Sequence, residues 1–177
     1  MFTSRLFPIV TAALLAATTL ALSACGPAAQ PEEPKSAAVQ PGVLPAGATW
    51  DGVYYNQFWG NLHIVASGNT FNGRWIRPDQ SWWGEMKGTI TGDVARFDWR
   101  EHNRGGMVGP SATRTGKGYF RYTRPDGDNV DDRLLGEWGF GDAEIGGGEW
   151  DSIKQRNTPP DLDSIGGEAE PTVGGWN

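Results

Sequence analysis

The sequence has one cysteine and two histidines in 177 residues. A single thiol excludes an intrachain disulfide, even in a compartment that would permit one. Two histidines, with no His/Cys spacing of a zinc site, leave no metal motif and no cofactor to expect. Positive charge is also scarce, with 15 Lys and Arg against 21 Asp and Glu. No basic face stands out, which argues against nucleic acid as a partner. Nor does any segment of helix length carry an apolar period of 3.6 residues. In their place stand 26 glycines and nine tryptophans.

The N-terminus is the clearest signal. Arg5 is followed by an apolar run, Leu6 to Leu22, and then by small residues. Residues 1–24 therefore read as a secretory signal peptide. The run is also as long as a marginal membrane span. An uncleaved anchor, or an ordinary signal with an incidental cysteine, are the alternatives. The ending Leu22-Ser23-Ala24-Cys25 resembles the lipobox of bacterial lipoproteins. That resemblance implies cleavage before Cys25, palmitate-type lipidation of its thiol, and attachment to a membrane of the cell envelope. Gly26, where an Asp would retain such a protein, implies the outer membrane. Acyl chains contribute about 0.8 kcal/mol per buried methylene, so several together hold a protein firmly.

After the lipidated cysteine, residues 25–47 read as a Pro/Ala-rich linker, interrupted by Pro27, Pro31, Pro34, Pro41 and Pro45. Such a stretch favours extended conformations. Residues 158–177 contain Asp161, Asp163, Glu168 and Glu170 with no Lys or Arg, and read as a flexible acidic tail. Trp176 is the exception in it, able to dock or to stay exposed. Between them, residues 48–157 form one domain.

This domain reads as all-β, an antiparallel up-and-down meander of about eight strands closed into a small barrel. Candidate strands are 52–56, 61–66, 70–76, 83–91, 94–100, 116–123, 134–139 and 149–155. Turn residues separate several of them, as in Ser67-Gly68-Asn69, Thr91-Gly92-Asp93 and Pro125-Asp126-Gly127. Closure removes exposed strand edges. A Gly-x-aromatic pattern recurs at Gly52/Tyr54, Gly73/Trp75, Gly118/Phe120, Gly136/Trp138 and Gly148/Trp150. Residues i and i+2 share a face, so each ring lies beside a glycine that permits tight curvature. The same alternation points Leu62, Ile64, Phe71, Trp75, Met86, Ile90, Phe97, Trp99, Phe120, Tyr122, Leu134 and Trp138 inward.

Gly52-Val-Tyr-Tyr-Asn-Gln57, then Gly60 and Leu62-His-Ile-Val65, resembles the first hairpin of the avidin and streptavidin family. The resemblance implies an eight-strand barrel with a ligand in its mouth. Asn56 would match that family's first ligand-contacting asparagine. Asn61 falls where the family has a serine, if Trp59 is an insertion. Trp75 replaces a tyrosine and Arg77 a serine, and the family's late aspartate has no counterpart. The likeness spans about fifteen residues, so it implies the barrel more than it implies biotin.

Chemistry is sparse. His63 falls on the outward face of its strand and reads as a surface histidine. His102 reads as part of a Gly-rich loop, Glu101-His-Asn-Arg-Gly-Gly106, where a histidine beside a carboxylate could serve as a general base, but no serine or cysteine nucleophile sits in a recognisable turn nearby. Glu85, Asp98, Glu101, Glu137, Glu149 and Asp151 read as solvated outward carboxylates rather than a glycosidase pair. The acidic run Asp126 to Asp132 lacks EF-hand spacing and reads as a loop. Trp82-Trp83 is more suggestive. Adjacent strand residues face opposite ways, so one ring must leave the core. With Trp59, it offers a platform for a small ligand or glycan.

The candidate ligand-binding residues are thus Asn56, Trp59, Asn61, Trp75, Trp82 and Trp83. The sequence favours an anchored, non-enzymatic binder of a small molecule or glycan. The alternative is a structural or protein-interaction module with a filled barrel. An open or a filled interior separates the two.

Overall fold

The computed structural model describes residues 35–106, 109–127 and 129–166. The signal, Cys25 and the end of the tail with Trp176 lie outside the described residues. Among the described residues nine strands follow one another: β1 Gly52–Asn56, β2 Gly60–Ser67, β3 Thr70–Ile76, β4 Trp82–Thr91, β5 Val94–Asn103, β6 Thr113–Thr123, β7 Arg133–Phe140, β8 Gly148–Glu149 and β9 Ser152–Lys154. Every pairing is antiparallel, in the order β6-β5-β4-β3-β2-β1-β9-β7. β6 pairs with β7 and closes the barrel, while β8 adds a short rung on β7. The eight-strand barrel expected from the sequence is therefore the fold.

Tight turns join β2 to β3 and β4 to β5, with Gly68 at φ 58° and Gly92 at φ 57°. Both are conformations that a two-residue hairpin turn demands and glycine accepts. The expected turn at Pro125-Asp126-Gly127 instead lies inside a longer loop between β6 and β7. The last candidate strand is interrupted. Trp150 turns inward between β8 and β9; its amide still donates to the Gly136 carbonyl at 2.8 Å, but the Gly136 amide donates to Asp151 Oδ1 at 3.3 Å, and the ladder loses its return bond there.

The inward rings fill the barrel. Tyr54, Leu62, Ile64, Phe71, Trp75, Phe97, Trp99, Phe120, Leu134 and Trp150 form one buried cluster. The glycines make room for them across strands. Trp75 is registered against Gly84, Phe71 against Gly88, Trp99 against Gly116 and Phe97 against Gly118. A Cβ at Gly84 would overlap the Trp75 indole, and one at Gly118 would stand 2.6 Å from the Phe97 ring. Each ring lies flat over bare backbone on the neighbouring strand, which lets a narrow barrel hold so many aromatics.

The two flanking segments are not free where they are described. Within the stretch read as linker, Leu44 packs on the core and Arg96, Arg121 and Arg124 hold main-chain carbonyls of Ala37, Val39, Gln40 and Ala46. Within the stretch read as tail, Arg74 holds the carbonyl of Leu162 at 3.1 Å, and Ile165 is buried. Arginines on the outer wall bind these carbonyls because neither segment has a β-partner of its own.

Candidate functional site

One end of the barrel, here the mouth, carries the β1–β2, β3–β4, β5–β6 and β7–β8 connections. Asn56 builds the first of them. Its Oδ1 accepts from the Phe58 and Trp59 amides at 2.7 and 3.0 Å, and its Nδ2 donates to the Asp151 carbonyl at 2.5 Å. That turn folds Trp59 back over the barrel. Its ring stacks on Trp150, with centroids 4.4 Å apart and planes at 19°. Trp138 and Trp75 meet it edge-on at 5.4 and 6.4 Å. Four indoles thus close the mouth.

Arg77 completes the cap. Its guanidinium lies 4.8 Å from the Trp59 ring centroid and 5.9 Å from that of Trp82. It also forms a two-point bond with Glu101, Nε to Oε1 at 2.6 Å and Nη2 to Oε2 at 2.7 Å. The Glu101 side chain is 1% exposed. A carboxylate so placed is tolerated only when paired. The reading of Glu101 as a solvated outward acid is thereby corrected. It follows Phe97 and Trp99 in strand alternation and points inward with them. His102 points the other way and stacks on Trp83 at 4.5 Å. The sequence neighbours Glu101 and His102 consequently do not form an acid–base pair. His102 Nε2 instead lies 3.5 Å from Glu85, whose carboxyl is held below its ordinary pKa mainly by this close approach of the imidazole.

The sequence-predicted residues separate into two groups. Trp59 and Trp75 share the mouth, Asn56 shapes it, and Trp82 stands at its edge under Arg77 and Arg114. Trp82 is buried at 8% exposure, and Trp83 lies half-buried on the outer wall. Asn61 is exposed on the outer face. Arg77, Trp138 and Trp150 were not among the predicted binding residues. The Gly-x-aromatic pattern flags the two tryptophans as core but says nothing of which end they occupy.

Three recesses lined by the described residues bear on function. The mouth keeps a shallow one of about 360 Å³, lined by Phe58, Trp59, Arg77, Trp138, Gly148 and Glu149. A recess of about 430 Å³ lies on the wall where β1, β9 and β7 meet, and exposes Tyr55, Phe58, Leu135 and Ile153. A third, about 750 Å³, is at the opposite, closed end, among Asp51, Arg124, Asp131, Asp132, Lys154 and Arg156. Four of its charges are already paired, while Lys154 donates to the Thr49 carbonyl and Asp51 accepts from the Thr49 hydroxyl and the Ala66 amide. Arg124 binds Asp132 at 2.7 and 2.8 Å, Tyr122 donates to Asp132 at 2.6 Å, and Arg156 pairs with Asp131. The Arg124 bond chiefly holds the Asp132 carboxyl below its ordinary pKa. Burial lowers that of Lys154, whose ammonium faces the Tyr54 and Tyr122 rings at 5.4 Å each. This network seals the closed end and leaves its acids engaged.

No family model, curated protein or solved structure matches the chain. The function must be argued from the barrel itself. Among the described residues no three His, Cys, Asp or Glu side chains gather as metal ligands.

Proposed function

We propose that the protein is an envelope lipoprotein anchored through Cys25, whose barrel is a filled scaffold for protein interaction rather than a vessel for a ligand. The anchor rests on the lipobox resemblance. The scaffold reading rests on one observation: the interior is occupied by its own side chains, and Trp59 stacked on Trp150 closes the mouth. A binder of a small molecule inside the barrel needs an enclosed, largely preformed cavity, and the mouth recess is shallow. The wall supplies a different surface. Tyr55 and Ile153 are registered partners, and with Leu135 they form an exposed apolar strip beside Arg133 and Glu149. Apolar surface of this kind, rimmed by charge, is typical of protein contacts.

A second reading keeps the glycan or small-molecule ligand at the rim. It is favoured by the Arg77 guanidinium over Trp59, a polar group and a ring face in one recess.

Two measurements decide. Metabolic labelling with a fatty acid should mark the wild type and not Cys25→Ala; equal labelling would end the lipoprotein reading. Leu135→Glu and Ile153→Glu should leave the thermal melt nearly unchanged while abolishing site-specific photo-cross-links from position 55 to a discrete protein in intact cells. A melt raised by a glycan or metabolite, with cross-links unaffected, would favour the rim ligand.

A further inference from the structure

Residues 35–47 run as a strap down the outside of the barrel. At its start the Lys35 carbonyl accepts from the Glu144 amide at 2.8 Å, and the Ala37 amide donates to the Glu144 carboxylate at 2.8 Å. Glu144 belongs to the β7–β8 loop, which is a mouth-end connection. Midway, Arg96 binds Glu144 together with the carbonyls of Ala37 and Val39. Arg121 then bridges Gln40 at 2.7 Å and Asp93 at 2.5 Å. Finally Gly42 exchanges hydrogen bonds with Asp93, in the β4–β5 turn at the closed end. The chain therefore enters the domain beside the mouth and descends to the closed end before β1 begins.

The consequence is geometric. Only residues 26–34 lie between Cys25 and Lys35, and at most they span roughly 30 Å when fully extended. A ten-residue strand such as β5 is itself about 33 Å long, and at the usual barrel tilt it makes a wall roughly 25 Å high. With the mouth turned away from the membrane, most of that reach would be spent passing the wall. With the mouth turned toward it, the tether stays slack. At the same end the most exposed large apolar side chains among the described residues are Phe58, 70% exposed, and Phe140, 54% exposed. Trp138 packs against Phe140 at 4.9 Å and against Trp59 at 5.4 Å, so the rim is a continuous aromatic edge. Trp rings favour the membrane–water boundary, and Phe side chains bury themselves just below it as apolar anchors.

We infer that the strap turns the aromatic rim of the mouth toward the membrane and rests Phe58 and Phe140 on the phospholipid surface. This rests on the anchored reading above. It holds equally for a lipid on Cys25 and for an uncleaved Leu6–Leu22 anchor, because both reach the domain through residues 26–34.

The test is hydroxyl-radical footprinting of the full chain, purified from cells and reconstituted in phosphatidylethanolamine–phosphatidylglycerol vesicles. Oxidation of each residue is normalised to the denatured chain. Phe58 and Phe140 should fall several-fold below the level their exposure implies, while Val130 at the closed end does not. Releasing the strap with Arg96→Ala and Arg121→Ala together should restore their oxidation while β-type circular dichroism persists. Oxidation of both phenylalanines in step with Val130 would overturn the inference, as would a chain not held on the vesicles. Protection centred on Tyr55, Leu135 and Ile153 would overturn it in favour of a protein contact on the wall. The mass of the N-terminal peptide from the same sample separates the two claims. A missing lipid with protected phenylalanines ends only the lipidation reading, and a present lipid with unprotected ones ends only the orientation.

Discussion

Trp82 and Trp83 show how one residue of register decides a side chain's fate. Trp82 lies inside the rim with Arg114 4.3 Å from its ring, and Trp83 lies outside on His102. Trp82→Ala should cost about 3–5 kcal/mol, the usual penalty for truncating a buried aromatic. Trp83→Ala forfeits mainly a partly solvated ring stack, about 0.5–1.5 kcal/mol. Paired thermal melts check the difference. Equal losses would mean that Trp83 is as much a core residue as Trp82. Arg77 makes a sharper case, because its partner Glu101 is buried. Arg77→Ala strands a carboxylate and should destabilise by about 3–5 kcal/mol, toward the lower end because Arg77 itself is 26% exposed. Adding Glu101→Leu should recover part of that loss in denaturant unfolding.

Strands in this barrel are shaped by what they lack. Gly84, Gly88, Gly116 and Gly118 each face a ring from the next strand. Gly136 faces Phe120, and a Cβ there would collide with the Tyr119 carbonyl oxygen. The obstacle at Gly136 is backbone, which cannot swing aside as a side chain can. Gly136→Val should therefore destabilise by about 3 kcal/mol or more, at the upper end of overpacking penalties. Gly105→Ala, in a loop where the close neighbour among the described residues is the Asn103 side chain, should be far milder. Chemical denaturation of the two variants checks this. A small loss at Gly136 would mean that β6 and β7 can spread locally. The recurrent Gly-x-aromatic spacing is legible in sequence, but its partners are not. The pattern pairs residues within a strand, whereas the packing pairs them across strands, and register is fixed only when the sheet closes.

At the scale of the molecule, the flanking segments are part of the fold. Leu44 and Ile165 both bury apolar surface, and outer-wall arginines tie down the main chain of each segment. Residues 48–157 alone should still give a β-type circular dichroism spectrum, since the closed ladder lies within them. Their melting temperature should fall several degrees below that of residues 35–166, as a loss of one or two kcal/mol does in a domain this size. Identical melts would show that strap and tail add nothing to stability.

The sequence alone determined the barrel, because strand alternation, turn residues and the want of any helical period are local properties read along the chain. It also placed Phe71, Trp75, Phe97, Trp99, Phe120 and Tyr122 inward, since that follows from period two, but it could not choose between Trp82 and Trp83. Tertiary structure alone decided that the barrel is filled, because whether the inward rings leave a cavity depends on their summed volume inside a closed sheet. It decided that Glu101 meets Arg77, two residues 24 positions apart that only the β3–β4–β5 register brings together. It decided, too, that residues 35–47 lie on the wall. Their composition is that of a linker, and what holds them is a row of arginines from strands far along the chain, whose direction no local pattern encodes.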